Sequence, residues 1–299
     1  MAEHHHDHGH HHNHHGTGNI KVAFFLNLAF TIIEIIGGLF TNSMAILSDA
    51  LHDLGDSISL GLSWYFQKVS QKHKDKKYSY GYKRFSLVGA LVNSVILFVG
   101  SIFILTETIP RIYNPQTPDA LGMIWLAVLG VIINGAAVFR LKKGESINEK
   151  VVSLHLLEDV LGWVAVLIGA IVMYFYDLPI IDPLLSLGIA CFILFNVFKN
   201  LKSVFKIIMQ GVPQDTNQKK IKSFLEDLDG VENIHDLHIW SMDGQYNVLT
   251  VHIVTQENLQ MEALVPLKQK IHKELKTYGI NHATLEFETK DEKCVLEDC

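Results

Sequence analysis

The sequence predicts an all-α membrane bundle of six transmembrane helices, followed by a small cytoplasmic α+β domain of ferredoxin-like type in the order αββαβ. Three observations lead there. Apolar residues make up 48% of the 299-residue chain and arrive in long blocks. Six blocks, near 20–40, 43–67, 85–109, 120–141, 151–175 and 183–206, each approach the ~20 residues a helix needs to cross hydrocarbon. From Gly211 onward the blocks give way to shorter segments with helical or alternating periodicity, as in a water-facing fold.

Taken in order, residues 1–19 form an arm that cannot bury a core, so disorder is expected there. Nine of the 17 histidines precede Gly16. An expression tag is the plain reading of such a run, but tags are uninterrupted and Asp7, Gly9 and Asn13 break this one. The pattern favours a native arm whose neutral imidazoles collect zinc-like ions weakly and exchange them quickly. The hydrophilic start and the length of the first apolar block predict a retained membrane anchor rather than a cleaved signal.

The six blocks over 20–206 are oriented by their connections. Lys68, Lys72, Lys74, Lys76, Lys77, Lys83 and Arg84 crowd the link between the second and third blocks, and Arg140, Lys142, Lys143 and Lys150 that between the fourth and fifth. The other three connections, Thr41-Asn42-Ser43, Asn114 to Asp119 and Asp177 to Asp182, carry no Lys or Arg. The positive-inside rule then places both termini in the cytoplasm of a multi-pass protein, and for a bacterial-type chain the membrane is the inner one. The lysine-rich link reads as a cytoplasmic anchor facing anionic headgroups.

After a junction at 207–210 comes the soluble domain, 211–290. A helix is predicted over 215–228, strands over 231–241 and 246–254 around the turn signal Asp243-Gly244, a second helix over 262–278 and a last strand over 283–288. The tail, 291–299, ends in Cys294 and Cys299. With Cys191 in an apolar block these three cysteines give no disulfide framework, so a reducing setting is expected for the tail. The net charge of −6 lies mostly in the last third, which argues against nucleic acid as a partner.

Polar residues inside the apolar blocks carry the chemistry. The second block holds Asp49, His52, Asp53 and Asp56; the fifth holds His155, Glu158 and Asp159. An ionised carboxylate at the bilayer centre costs ~2.5–3.5 kcal/mol, so these groups need a polar cavity, a partner or an ion. The pattern His-x-x-x-Asp occurs twice, as His52 with Asp56 and as His155 with Asp159. That spacing puts imidazole and carboxylate one turn apart on one helix face. Two such faces supply two nitrogens and two carboxylate oxygens, a tetrahedral set suited to Zn²⁺. Calcium or magnesium would require more oxygens, and copper(I) sulfur. A proton relay and interhelical hydrogen bonding use the same residue types. Asp56 is chosen over Asp53, which points ~100° away from His52, and over Asp49, which is kept as a group outside the ligand set that orients an imidazole. Asn27, Glu34, Asn93, Glu107 and Asn134 read mainly as interhelical hydrogen-bonding residues, with Asn27 and Asn93 as candidates to line the cavity.

These residues, in this order, resemble the cation diffusion facilitator family and specifically its zinc-type branch. The resemblance covers nearly the whole chain: the histidine arm, Ser43 to His52 leading into Asp56, Tyr78 to Arg84, His155 with Asp159, Met209 to Pro213, and Val231 to Trp240 with His235-Asp236-Leu237-His238. It implies a homodimeric transporter, not an enzyme, that exports Zn²⁺ from the cytoplasm in exchange for protons, with the tetrad of His52, Asp56, His155 and Asp159 as transport site. It also implies a cytoplasmic domain that binds further zinc and holds the dimer. His235 and His252 carry over as its ligands, His282 with Glu288 or with Glu286 completes the set, and Cys294 and Cys299 resemble tail thiolates of some members. Cadmium or cobalt remains open as cargo, since affinity order alone does not decide selectivity. A membrane-anchored metal sensor or zinc store is the competing expectation. A metal hydrolase is disfavoured, because no His-Glu-x-x-His motif is present and four protein ligands leave no position for a catalytic water.

Overall fold

Six long helices come first in the computed structural model: α1 (His15–Thr41), α2 (Met44–Ser70), α3 (Phe85–Tyr113), α4 (Ala120–Leu141), α5 (Ile147–Tyr176) and α6 (Ile181–Ile208). Then follow α7 (Gln218–Glu226), β1 (Val231–Ser241), β2 (Asn247–Thr255), α8 (Met261–Thr277) and β3 (Ile280–Thr289). The structure describes residues 15–141, 147–256, 261–290 and 292. Among these, four segments are long and apolar enough to cross a membrane: Phe85–Tyr113, Ala120–Phe139, Leu156–Tyr176 and Ile181–Ile208. The described apolar part of α1 is the shorter Asn27–Thr41, and α2 carries Asp49, Asp53 and Asp56 within its length. Phe103, Trp125, Phe139, Phe175 and Phe195 are each more than 60% exposed on this multi-pass protein, an outer surface suited to acyl chains rather than water.

The chain divides into two compact units, one of residues up to 61 with 93–197, the other of 62–92 with 198 onward. In the first, Phe30, Ile46, Met123, Trp163 and Val166 form the buried core. Gly130 lets α4 lie close against α5, since a Cβ there would overlap the Trp163 indole. The start of α2 is fixed by an acid from α6. Asp182 accepts hydrogen bonds from Ser43 Oγ (2.6 Å), Met44 N (2.8 Å) and Ala45 N (3.2 Å). Its carboxylate thus satisfies amides that the helix itself leaves open and complements the positive end of the dipole. One turn further in, the Ser48 and Ser186 hydroxyls lie 2.6 Å apart, and Ser186 meets Thr108 at 3.0 Å. These bonds fix which face of α2 turns inward.

In the second unit, α7 buries Ile221 and Leu225, and α8 buries Leu267, Ile271 and Leu275, each at i, i+4 spacing. They cover one face of a small mixed sheet in the order β1-β2-β3. β1 and β2 are antiparallel, β2 and β3 parallel and directly paired. The parallel pair requires a crossover, which α8 provides. The β1–β2 turn follows the predicted chemistry: Gly244 has φ +92, and Asp243 Oδ1 accepts from Gln245 N and Tyr246 N at 2.9 and 2.7 Å. Leu249, Val251 and Ile253 point into the core, so His252 faces the opposite side.

A bulge in β1 was not foreseeable from the alternation. His235 pairs with His252 but His238 pairs with Thr250, so β1 gains one residue there, and Asp236 adopts φ 50. Through this extra residue His235 and His238, an odd number apart, come to the same face of the sheet.

Candidate metal centres

The first candidate centre is built by α2 and α5. On α2, His52 Nε2 stands 3.6 Å from Asp56 Oδ2, the contact expected of an i, i+4 pair. Asp49 and Asp53 on the same helix are buried, as is Asp159 on α5. Asp49 interacts electrostatically with Asp159 and Asp56, and Asp53 with both of these and with Glu34. Asp159 is thereby brought to the acidic face of α2. Gly162, one turn beyond Asp159, lies beside Asp49, since a Cβ there would stand 3.7 Å from Asp49 Oδ1, an ordinary contact. His155 lies one turn before Asp159 in α5, and its side chain is outside the described residues.

Glu34, read from the sequence mainly as an interhelical hydrogen-bonding residue, lies on α1 against the acids of α2. It is fully buried, and its carboxyl group makes a side-chain hydrogen bond with that of Asp53 on α2. It lies within electrostatic reach of Asp49, Asp53 and Asp159. A single acid within an otherwise apolar helix was the signal available. Asn27 also bonds across to α2, donating to Ser57 Oγ at 3.2 Å and to the Asp53 carbonyl at 3.4 Å. Asn93 is buried with its Oδ1 unpartnered among the described residues.

The second candidate centre lies on the sheet face away from α7 and α8. Glu288 Oε2 is 2.9 Å from His235 Nε2, and Glu288 Oε1 is 2.5 Å from His252 Nδ1. Among the described residues this is the group that brings three ligand atoms within 4.8 Å of one another. The register explains it. His235 and His252 are cross-strand partners, while Glu288 sits two residues beyond Glu286, the partner of His252 on β3. His252 and Glu288 are buried and His235 is 21% exposed. Two imidazole nitrogens and one carboxylate oxygen fit Zn²⁺ with one coordination position left. His235 Nδ1 is buried without a hydrogen-bond partner among the described residues, and the ring is held by its Nε2 contact and by packing against the His252 ring, with centroids 5.0 Å apart.

The structure does not bring His282 to this group. It pairs with Val248, six residues before Glu288 on the strand, and its exposed ring packs edge-on against Tyr80 with centroids 5.7 Å apart. Glu286 is 64% exposed and approaches the other nitrogen of His252, Nε2, at 3.5 Å, as does Asp236. Asp236 also accepts from His238 Nε2 at 2.6 Å. Cys294 and Cys299 lie outside the described residues.

The sequence profile of the cation efflux transmembrane domain matches residues 20–209, and that of the cation efflux protein cytoplasmic domain matches 213–289. The chain belongs to the cation efflux family. This is the cation diffusion facilitator family anticipated from the motifs. A cadmium, cobalt and zinc/H(+)-K(+) antiporter of Bacillus subtilis is 34% identical over 275 residues, covering 91% of this chain and 88% of the relative. The metal cation efflux system protein CzcD of Cupriavidus metallidurans is 36% identical over 274 residues, covering 90% and 86%. The zinc transporter ZitB of Yersinia pestis is 32% identical over 284 residues, covering 94% and 89%. For a cation efflux protein, acidic groups gathered on membrane helices and a histidine-carboxylate cluster on the soluble domain are two places where a metal ion has ligands to meet.

Proposed function

We propose that this protein exports Zn²⁺, with Cd²⁺ or Co²⁺ as further cargo, from the cytoplasm in exchange for protons, through a site formed by His52, Asp56, His155 and Asp159. The observation that carries the reading is the approach of Asp159 on α5 to Asp49 and Asp53 on α2. It supports the convergence of the two His-x-x-x-Asp copies. The names of the relatives, zinc, cadmium and cobalt antiporters and zinc transporters, support the cargo and favour transport over a sensor or storage role.

The exchange follows from charge. Two carboxylates, two neutral imidazoles and one Zn²⁺ sum to zero, which is tolerable in a low-dielectric surrounding. Loss of the metal leaves two negative charges there, and protons entering from the outer side restore neutrality. The same imidazole nitrogen holds either metal or proton, so proton entry and metal release are alternatives at one atom. Six spans then place the site between the cytoplasmic and outer surfaces of the inner membrane, with both termini cytoplasmic, and rocking of the helices exposes it alternately.

In this reading two copies associate through their cytoplasmic domains, and His235, His252 and Glu288 hold a resident zinc there. His235 on β1, His252 on β2 and Glu288 on β3 would hold that ion, and a shared ion would brace the three strands against one another. The histidine arm collects metal for delivery, and the tail thiolates Cys294 and Cys299 add ligands.

Purified protein in liposomes, loaded with a zinc-sensitive dye and given a proton gradient, tests the function. Zinc uptake driven by the gradient and abolished when it is collapsed is the expected result. Zinc movement indifferent to the gradient contradicts proton exchange, and no movement with intact metal binding returns the reading to storage.

A further inference from the structure

A cavity of about 680 Å³ is lined by the loop between α2 and α3 and by residues of the soluble domain within the same unit. Lys72, Lys74 and Lys83 line it together with His73 and His282. Ser70, Ser79 and Tyr80 contribute hydroxyl groups, and among the described residues no carboxylate is part of the lining. Two ring contacts tie its walls together. Lys83 Nζ lies 4.2 Å from the centroid of the Tyr246 ring, and Tyr80 meets His282 edge-on at 5.7 Å. The acid nearest in sequence, Asp75, is occupied by its own loop: it accepts from Tyr82 OH (2.7 Å), Lys77 N (2.8 Å) and Tyr78 N (2.9 Å). Three lysines without a facing carboxylate give the lining its positive charge, and two imidazoles, several hydroxyls and the Gln71 amide can each donate as well, a set matched to a group with several acceptor oxygens and negative charge. Its level is also informative. The apolar span of α3 begins at Phe85, two residues after Lys83, which puts this edge of the cavity at a membrane–water boundary.

We propose that this cavity binds a phosphate group, presented by an anionic phospholipid headgroup or by free phosphate. The bound group bridges the α2–α3 loop and the sheet, since Lys72 and Lys74 come from one and His282, on β3, from the other. It also gives His282 a role apart from the zinc ligands.

The test uses the full chain in nanodiscs of phosphatidylcholine with and without phosphatidylglycerol, comparing wild type, K72Q/K74Q/K83Q and the control K199Q/K202Q on α6. Native mass spectrometry counts retained phosphatidylglycerol, and calorimetric titration with inorganic phosphate in pure phosphatidylcholine discs reads the free anion. The triple variant loses at least about tenfold in affinity while the control keeps it. Retained phosphatidylglycerol that the triple variant loses supports the lipid source. Saturable phosphate binding lost in the same variant supports the free anion. Binding of neither probe, equal binding by wild type and triple variant, or an equal loss in the control overturns the proposal. If the triple variant does not elute as the wild type does, K74Q alone, at an exposed loop position, carries the comparison, and an unchanged affinity there overturns the proposal equally.

Discussion

Asp49 on α2 and Asp159 on α5 are both buried, and their carboxyl groups interact electrostatically between the two helices. Carboxyl groups sequestered together in an apolar surrounding favour a cation in their midst. Glu34 on α1 adds a third helix to the same cluster. The interaction sets Asp159, the acid of the second His-x-x-x-Asp copy, within electrostatic reach of the acids on α2.

The cytoplasmic trio gives a prediction that separates neighbouring residues. H252A and E288Q should each weaken zinc binding to the soluble domain by at least about tenfold, as expected when a ligand or its partner is lost. H282A should leave it unchanged, because His282 stands against Tyr80. Zinc titration followed by thermal unfolding reads both. Binding should also fall as the solution is acidified, since protons compete for His235 and His252. Loss of zinc binding in H282A equal to that in H252A contradicts the geometry.

Asp182 offers a stability test away from any metal. Its three hydrogen bonds to Ser43, Met44 and Ala45 fix the start of α2. D182A should lower stability by about 1–2 kcal/mol, the scale of a lost helix cap, and D182N should lose less, since an amide oxygen still accepts. Thermal unfolding in detergent measures the order, and equal stability of wild type and D182A contradicts it.

Asp75 gives a pH prediction. The hydrogen bond from Tyr82, then those from the amides of Tyr78 and Lys77, hold its carboxyl below the usual aspartate range. A depressed folded value stabilises the loop at neutral pH, and that contribution disappears only in acid, as pH falls through the lowered value. Y82F removes the largest cause, so the Asp75 titration should move up towards the ordinary value. Carboxyl-carbon chemical shifts follow it, and an unmoved titration contradicts the assignment.

Much of this architecture was legible in the sequence. Helix α2, expected over 43–67, is found at Met44–Ser70, though it is not among the four described segments apolar enough to cross a membrane. Strand β1 was predicted over 231–241 and is found at Val231–Ser241. The last strand, predicted over 283–288, runs Ile280–Thr289, because Gly279 at φ +78 ends α8 and the chain enters the sheet directly. The first soluble helix, predicted over 215–228, is the shorter Gln218–Glu226, since the Asn217 side chain caps it by accepting from Lys220 N. What alternation could not reveal was the bulge at Asp236 and the direct pairing of β2 with β3. Both are long-range backbone arrangements, and together they decide that Glu288, and not His282, reaches His235 and His252. Glu34 was readable as an anomaly, but its neighbours on α2 and α5 depend on helix packing that no local pattern encodes.

The most direct test of the central claim is proton-driven zinc uptake into liposomes by wild type, D56N, D159N, H155A, D49N and D53N, each matched for protein content and metal-free folding. The account predicts no uptake above empty liposomes for D56N, D159N and H155A, and reduced but measurable uptake for D49N and D53N. Wild-type rates in D56N or D159N would contradict it.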